Sequence, residues 1–117
     1  MKNLSVLILS VFLVTSAGAV PPKLETIKIK TSSQCGECKE RIEEALAFEK
    51  GVKSSELDIE TKIVTVSYKA GKTSPEKIRQ AISKAGYDAD DLEADNKTYE
   101  KLPACCKKPD DPEHEGH

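Results

Sequence analysis

Histidine is scarce in this sequence, tryptophan is missing, and neither sign of charge dominates. The two histidines, His114 and His117, both fall at the very end. The body of the chain therefore has no imidazole to serve as a general base or as a zinc-hydrolase ligand. No Ser-His-Asp set can be assembled, and the chain is read as something other than an enzyme. Lys and Arg number 18 and Asp and Glu 20, for a formal charge of −2. Such a mixed-sign surface lacks the basic stripe that nucleic acid requires. Asp88, Asp90 and Asp91 are spread along one short segment, which suits a solvent-facing sheet edge better than a hard-cation site. After Val14 no long apolar run occurs, which excludes stable membrane insertion of the remainder.

The one apolar run lies at the start. Lys2 precedes the stretch Leu4 to Val14, and the segment closes on Ala17-Gly18-Ala19, with small residues where an A-x-A cleavage site needs them. The run is about half the length that spans a bilayer. No cysteine ends it, so lipoprotein processing is not indicated. Residues 1–19 are read as a secretory signal peptide, which places the protein in the periplasm or otherwise outside the cytoplasm. What remains suffices for one small domain, expected to be monomeric. In an oxidising compartment Cys35, Cys38, Cys105 and Cys106 could form disulfides, but a chain of this length can fold around an ordinary core.

Hydrophobic periodicity orders the domain. After the stiff Val20-Pro21-Pro22, Leu24 to Thr31 alternates, with Ile27 and Ile29 on one face, as a half-buried strand does. Cys38, Ile42, Ala45 and Leu46 then share one helical face, and Gly51 marks the stop. Val52 to Ile59 and Ile63 to Tyr68 read as two strands, the second rich in β-branched residues with Val64, Val66 and Tyr68 on one face. Thr73 with Glu76 forms a capping-box pattern, and Ile78, Ala81, Ile82 and Ala85 make a second helical stripe that ends at Gly86. Tyr87 to Leu92 is a weaker, acidic strand. The order β-α-β-β-α-β predicts an α+β, ferredoxin-like fold, a four-stranded antiparallel sheet with both helices on one face. This domain covers residues 20–94. Residues 95–117 form a Cys- and His-containing extension that is expected to be partly disordered.

Cys35-Gly36-Glu37-Cys38 stands where the first strand hands over to the first helix. That position lets two sulfurs converge on one ion, while free N–H groups at the helix start favour thiolates. Two charged, soft sulfurs in near-linear geometry suit Cu(I) or Hg(II), whereas Zn(II) or Cd(II) asks for more ligands. Glu37 is read as a helix-start residue favoured by the dipole. With this motif, Gly51-Val52 at the second strand and Ala85-Gly86-Tyr87 before the last, the chain resembles the heavy-metal-associated domain family over roughly residues 24–92. The resemblance implies a metallochaperone that carries Cu(I), Hg(II) or a similar ion on Cys35 and Cys38. Such a carrier passes its ion by thiol exchange to a membrane transporter or efflux component. It also implies that Tyr87 lies beside the metal loop, although Tyr87 could equally just pack the sheet end. The family usually reads Gly-Met-x-Cys-x-x-Cys; here Ser32-Ser33-Gln34 precedes Cys35, and the Met that plugs the core beneath the loop is replaced by Ser33. The spacing from Ile29 to Cys35 is also one residue longer.

Cys105-Cys106 lies outside the resemblance. Either the tail folds back and adds thiols, giving a three- or four-sulfur site suited to zinc, cadmium or a copper cluster, or the two form an independent pair or disulfides with the first two. Adjacent cysteines rarely bond each other, because the ring is strained. His114, His117 and Lys107-Lys108 are read as a solvated tail. The rival function for the same C-x-x-C is thiol-disulfide oxidoreductase. Against it, Gln34 rather than Trp precedes Cys35, and no proline follows a strand where a thioredoxin fold places one.

Overall fold

A computed structural model of the protein describes residues 23–115. The expected signal peptide, the Val20-Pro21-Pro22 lead-in and His117 lie outside the described residues. Strand β1 (Leu24–Lys30) leads to helix α1 (Gly36–Ala47), strands β2 (Val52–Asp58) and β3 (Ile63–Lys69), helix α2 (Pro75–Lys84) and a short helix α3 (Asn96–Glu100). A single 3-10 turn, Ala104–Cys106, follows. The sheet runs β1-β3-β2, and both pairings are antiparallel.

Alternation decides which face is buried. Ile29 of β1, Leu57 of β2 and Val64, Val66 and Tyr68 of β3 point one way and pack with Ile42 and Leu46 of α1 and Ile78 and Ile82 of α2. The opposite face carries Thr26, Glu56, Thr65 and Ser67, side chains that remain in contact with water. Helix α1 buries Cys38, Ile42 and Leu46 at the expected spacing. The cap of α2 falls one residue later than the capping-box pattern implies. The Ser74 side chain accepts from the Lys77 N–H, and Pro75 sits at the first helical position, where its missing donor costs nothing.

The predicted fourth strand, Tyr87–Leu92, is not a strand among the described residues. One isolated bridge, Thr31 to Ala89, is the only strand-type pairing of the segment beside β1 among the described residues. The cause is local. Asp90 takes a positive φ of 52°, and its Oδ1 accepts the Lys30 N–H at 2.9 Å, the donor that a strand partner would use. Its own N–H donates to the Lys30 carbonyl, and Arg79 Nε holds its other oxygen at 2.8 Å. Ala89 and Leu92 then close a tight turn on each other, and the chain leaves the sheet.

The extension, expected to be partly disordered, packs on the domain through Leu102, Cys106 and Lys108, and the residues beyond, to Glu115, fold back on the extension itself. Leu102 is 6% exposed and Cys106 1%. The Tyr99 hydroxyl donates to Asp111 at 2.7 Å and accepts the Lys108 N–H at 3.0 Å. Gly86 makes the docking possible. It has a φ of 101°, and a Cβ there would meet the Leu102 side chain at 3.2 Å. Gly86→Ala is expected to cost on the order of 1–3 kcal/mol, from backbone strain and the displaced Leu102. Urea unfolding would show it as a lower midpoint with an unchanged slope.

Candidate metal centre

Cys35 is the N-cap residue of α1, with extended backbone (φ −155°, ψ 177°), and Cys38 sits in the first turn, fully buried. Their sulfurs are 3.5 Å apart. The loop before them is tied down without the family's Met. Ser33 is buried, its N–H bonds to the Thr31 hydroxyl oxygen, and the two hydroxyls lie 3.0 Å apart. Ser32 accepts the Asp88 N–H at 2.9 Å. Polar bonding thus replaces an apolar plug and fastens the loop to the segment after α2.

The tail brings the second thiol pair to the first. Cys35 Sγ lies 3.7 Å from Cys105 Sγ and 4.0 Å from Cys106 Sγ, and these two are 3.9 Å apart. All four cysteines are free thiols. Of the two sequence-level alternatives for Cys105-Cys106, the fold-back places them beside the motif.

The local fields differ from thiol to thiol. Burial pushes the Cys35 thiol up, but the Cys38 N–H and thiol, the Cys105 thiol and the Glu37 N–H outweigh it, so its pKa is lowered. These N–H groups approach the sulfur too loosely to form a true cap bond. The Glu37 carboxylate, read from sequence only as a helix-start residue, accepts the Cys105 thiol at 3.1 Å. With burial and the Cys35 sulfur, it pushes Cys105 up to about 11. Cys106 is raised further, chiefly by burial and then by Cys38. Cys35 is therefore the nucleophile of the group. Substoichiometric iodoacetamide on the reduced, metal-free protein is expected to label Cys35 first, Cys105 well behind, and the two buried thiols last. Peptide mass spectrometry of the singly labelled product reads the order.

Tyr87 lies at the base of the site. It is fully buried, and its hydroxyl has no hydrogen-bond partner of good geometry. Burial raises its pKa strongly, and the sulfurs of Cys106 and Cys38 beside it add to the rise.

Sequence reasoning missed the residues that hold the tail in place. Lys107, expected to be solvated, is 4% exposed and paired with Glu113, while Lys108 Nζ reaches Asp88 Oδ2 at 2.8 Å. His114 Nδ1 contacts the Lys107 carbonyl at 2.6 Å. The one available signal was Tyr99, a lone aromatic in a polar segment.

The heavy-metal-associated domain model matches residues 34–88, so Cys105 and Cys106 fall beyond the matched span. The copper chaperone CopZ of Staphylococcus haemolyticus is 39% identical over 54 residues, covering 46% of this chain and 79% of that protein. The mercuric transport protein periplasmic component of Shewanella putrefaciens is 32% identical over 88 residues, 74% of this chain and 93% of that one. Among solved structures, a CopZ metallochaperone superposes with a TM-score of 0.54 at 30% identity, covering 56% of this chain and 98% of its own. With the C-x-x-C at the start of α1 and the helices on one face of an antiparallel sheet, these likenesses establish that the chain belongs to the heavy-metal-associated domain family.

Proposed function

We propose that the protein is an exported carrier of a soft metal ion, Cu(I) or Hg(II), held on Cys35 and Cys38 and passed on by thiol exchange. The observation that carries this reading is the 3.5 Å approach of the Cys35 and Cys38 sulfurs at the start of α1, with Cys35 partly open to solvent. An incoming thiolate can reach such a site and bind before the outgoing one leaves. The cargo class is supported by the copper chaperone and mercuric transport relatives. The recipient in this reading is a membrane transporter or efflux component. Export rests on the sequence of residues 1–19; no helix of the described residues is long and apolar enough to cross a membrane. Residues 20–94 act as the metal domain and 95–117 as an accessory extension.

Anaerobic titration of the reduced protein with Cu(I) and Hg(II) tests the proposal. One equivalent should bind tightly and be lost in the Cys35→Ser/Cys38→Ser double variant. A protein that bound neither ion, yet oxidised or reduced a substrate disulfide, would instead be a thiol-disulfide oxidoreductase.

A further inference from the structure

We infer that the C-terminal pair Cys105-Cys106 completes a four-thiolate site with Cys35 and Cys38, built for a tetrahedral divalent ion of the zinc and cadmium class. The inference rests on the assignment of Cys35 and Cys38 as the metal-holding pair and changes the ligand number and the metal. Three sulfurs, those of Cys35, Cys105 and Cys106, form a nearly equilateral triangle with sides of 3.7, 4.0 and 3.9 Å. Cys38 adds a fourth sulfur 3.5 Å from Cys35. Tetrahedral coordination with metal–sulfur bonds of about 2.3 Å holds sulfurs about 3.8 Å apart, whereas a linear two-sulfur ion spreads them to about 4.6 Å. The three sides of the triangle match the tetrahedral case; Cys38 matches it toward Cys35 but stands outside the set of sulfurs that all lie within 4.8 Å of one another, so its sulfur must draw in when the ion binds.

Besides the Cys105–Glu37 bond, the turn that presents Cys105 and Cys106 is held by contacts that do not involve sulfur. Leu102 seats against Gly86, the Tyr99 hydroxyl ties Asp111 to the Lys108 N–H, and Lys108 pairs with Asp88. Three of the four sulfurs are thus brought together by the fold, with Cys38 beside Cys35, and the adjustment left for the metal to impose is at Cys38. Four thiolates around a divalent ion leave a net charge of −2, which needs donors around it. The N–H groups at the start of α1 and the unpartnered Tyr87 hydroxyl stand in that position. The Glu37 carboxylate must release the Cys105 thiol as the thiol protons leave to solvent.

The test is Cd(II) binding to the reduced full chain, read two ways. X-ray absorption at the cadmium edge should find four sulfur neighbours in the wild-type complex; three or fewer would overturn the inference without recourse to any variant. Competition titration should show the Cys105→Ser/Cys106→Ser protein binding Cd(II) at least about a thousandfold more weakly, while its Hg(II) binding through Cys35 and Cys38 persists. Unchanged Cd(II) affinity in that variant would also overturn the four-sulfur site and leave the two-sulfur carrier standing. Unchanged Cd(II) and Hg(II) binding in Cys35→Ser/Cys38→Ser would instead refute the carrier reading and this inference with it.

Discussion

Cys35→Ser is expected to weaken metal binding by well over about 100-fold, since even residues that only orient metal ligands are worth about 10- to 100-fold. Among the four thiols it is the hub. Its sulfur lies within 4.0 Å of Cys38, Cys105 and Cys106 alike. Its thiol has its pKa lowered, because the α1 N–H groups and neighbouring thiols overcome its burial, whereas those of Cys105 and Cys106 are raised. It is therefore the thiolate that an arriving ion meets first and that holds any two-, three- or four-sulfur arrangement together. Cys105→Ser should cost less, because that thiol starts protonated and bonded to Glu37. The metal-free fold should hardly notice the Cys35 change, with a stability difference within about 0.5 kcal/mol, as for other partly exposed positions. Competition against a chromophoric chelator compares the two variants directly. Equal losses would show that no single thiol anchors the ion.

The contrast between Cys35 and Cys105 marks how far the sequence could be read. Ile29, Cys38, Ile42, Leu46, Val64, Val66, Ile78 and Ile82 were all legible, because period 2 and period 3.6 state directly which side chains share a face, and all are buried. The place of Cys35-x-x-Cys38 at a helix start follows from the same pattern. The edge at Tyr87–Leu92 was not legible, because its alternation is weak and its outcome depends on one side chain. Asp90 hydrogen-bonds to the Lys30 backbone in place of a strand carbonyl, and no periodicity encodes that substitution. The tail was hidden for a different reason. Its docking depends on Leu102 meeting Gly86 and on Tyr99 meeting Asp111 and Lys108, contacts set by the assembled fold rather than by local spacing. A segment of Lys, Asp, Pro and Glu resembles a disordered one in composition, yet here the charges are paired across the surface. Glu37 stands in the first turn of α1 as its position implied, but its bond to Cys105, 68 residues along the chain, was not legible.

Tyr87 gives the second large effect, and its two substitutions should separate packing from donation. Tyr87→Ala removes the largest of the fully buried side chains and is expected to destabilise the metal-free protein by about 3–5 kcal/mol, the cost of deleting a buried aromatic ring. Tyr87→Phe keeps the ring and deletes only a buried hydroxyl that lacks a well-formed hydrogen bond. An unsatisfied buried donor carries a desolvation penalty on the order of 1–3 kcal/mol, so the Phe variant should be as stable as the parent without metal, or more stable by about 1 kcal/mol. With metal the sign reverses. The hydroxyl lies beside the sulfurs of Cys38 and Cys106, and metal binding turns thiols into thiolates, which are strong acceptors of the hydrogen bond it can offer. Its loss should weaken Cd(II) binding by about 10- to 100-fold. Denaturation with and without Cd(II), run on both variants, gives the four numbers needed. A Phe variant that is less stable without metal and binds Cd(II) as tightly as the parent would mean that the hydroxyl already spends its hydrogen bond inside the fold and faces the sulfurs only as packing.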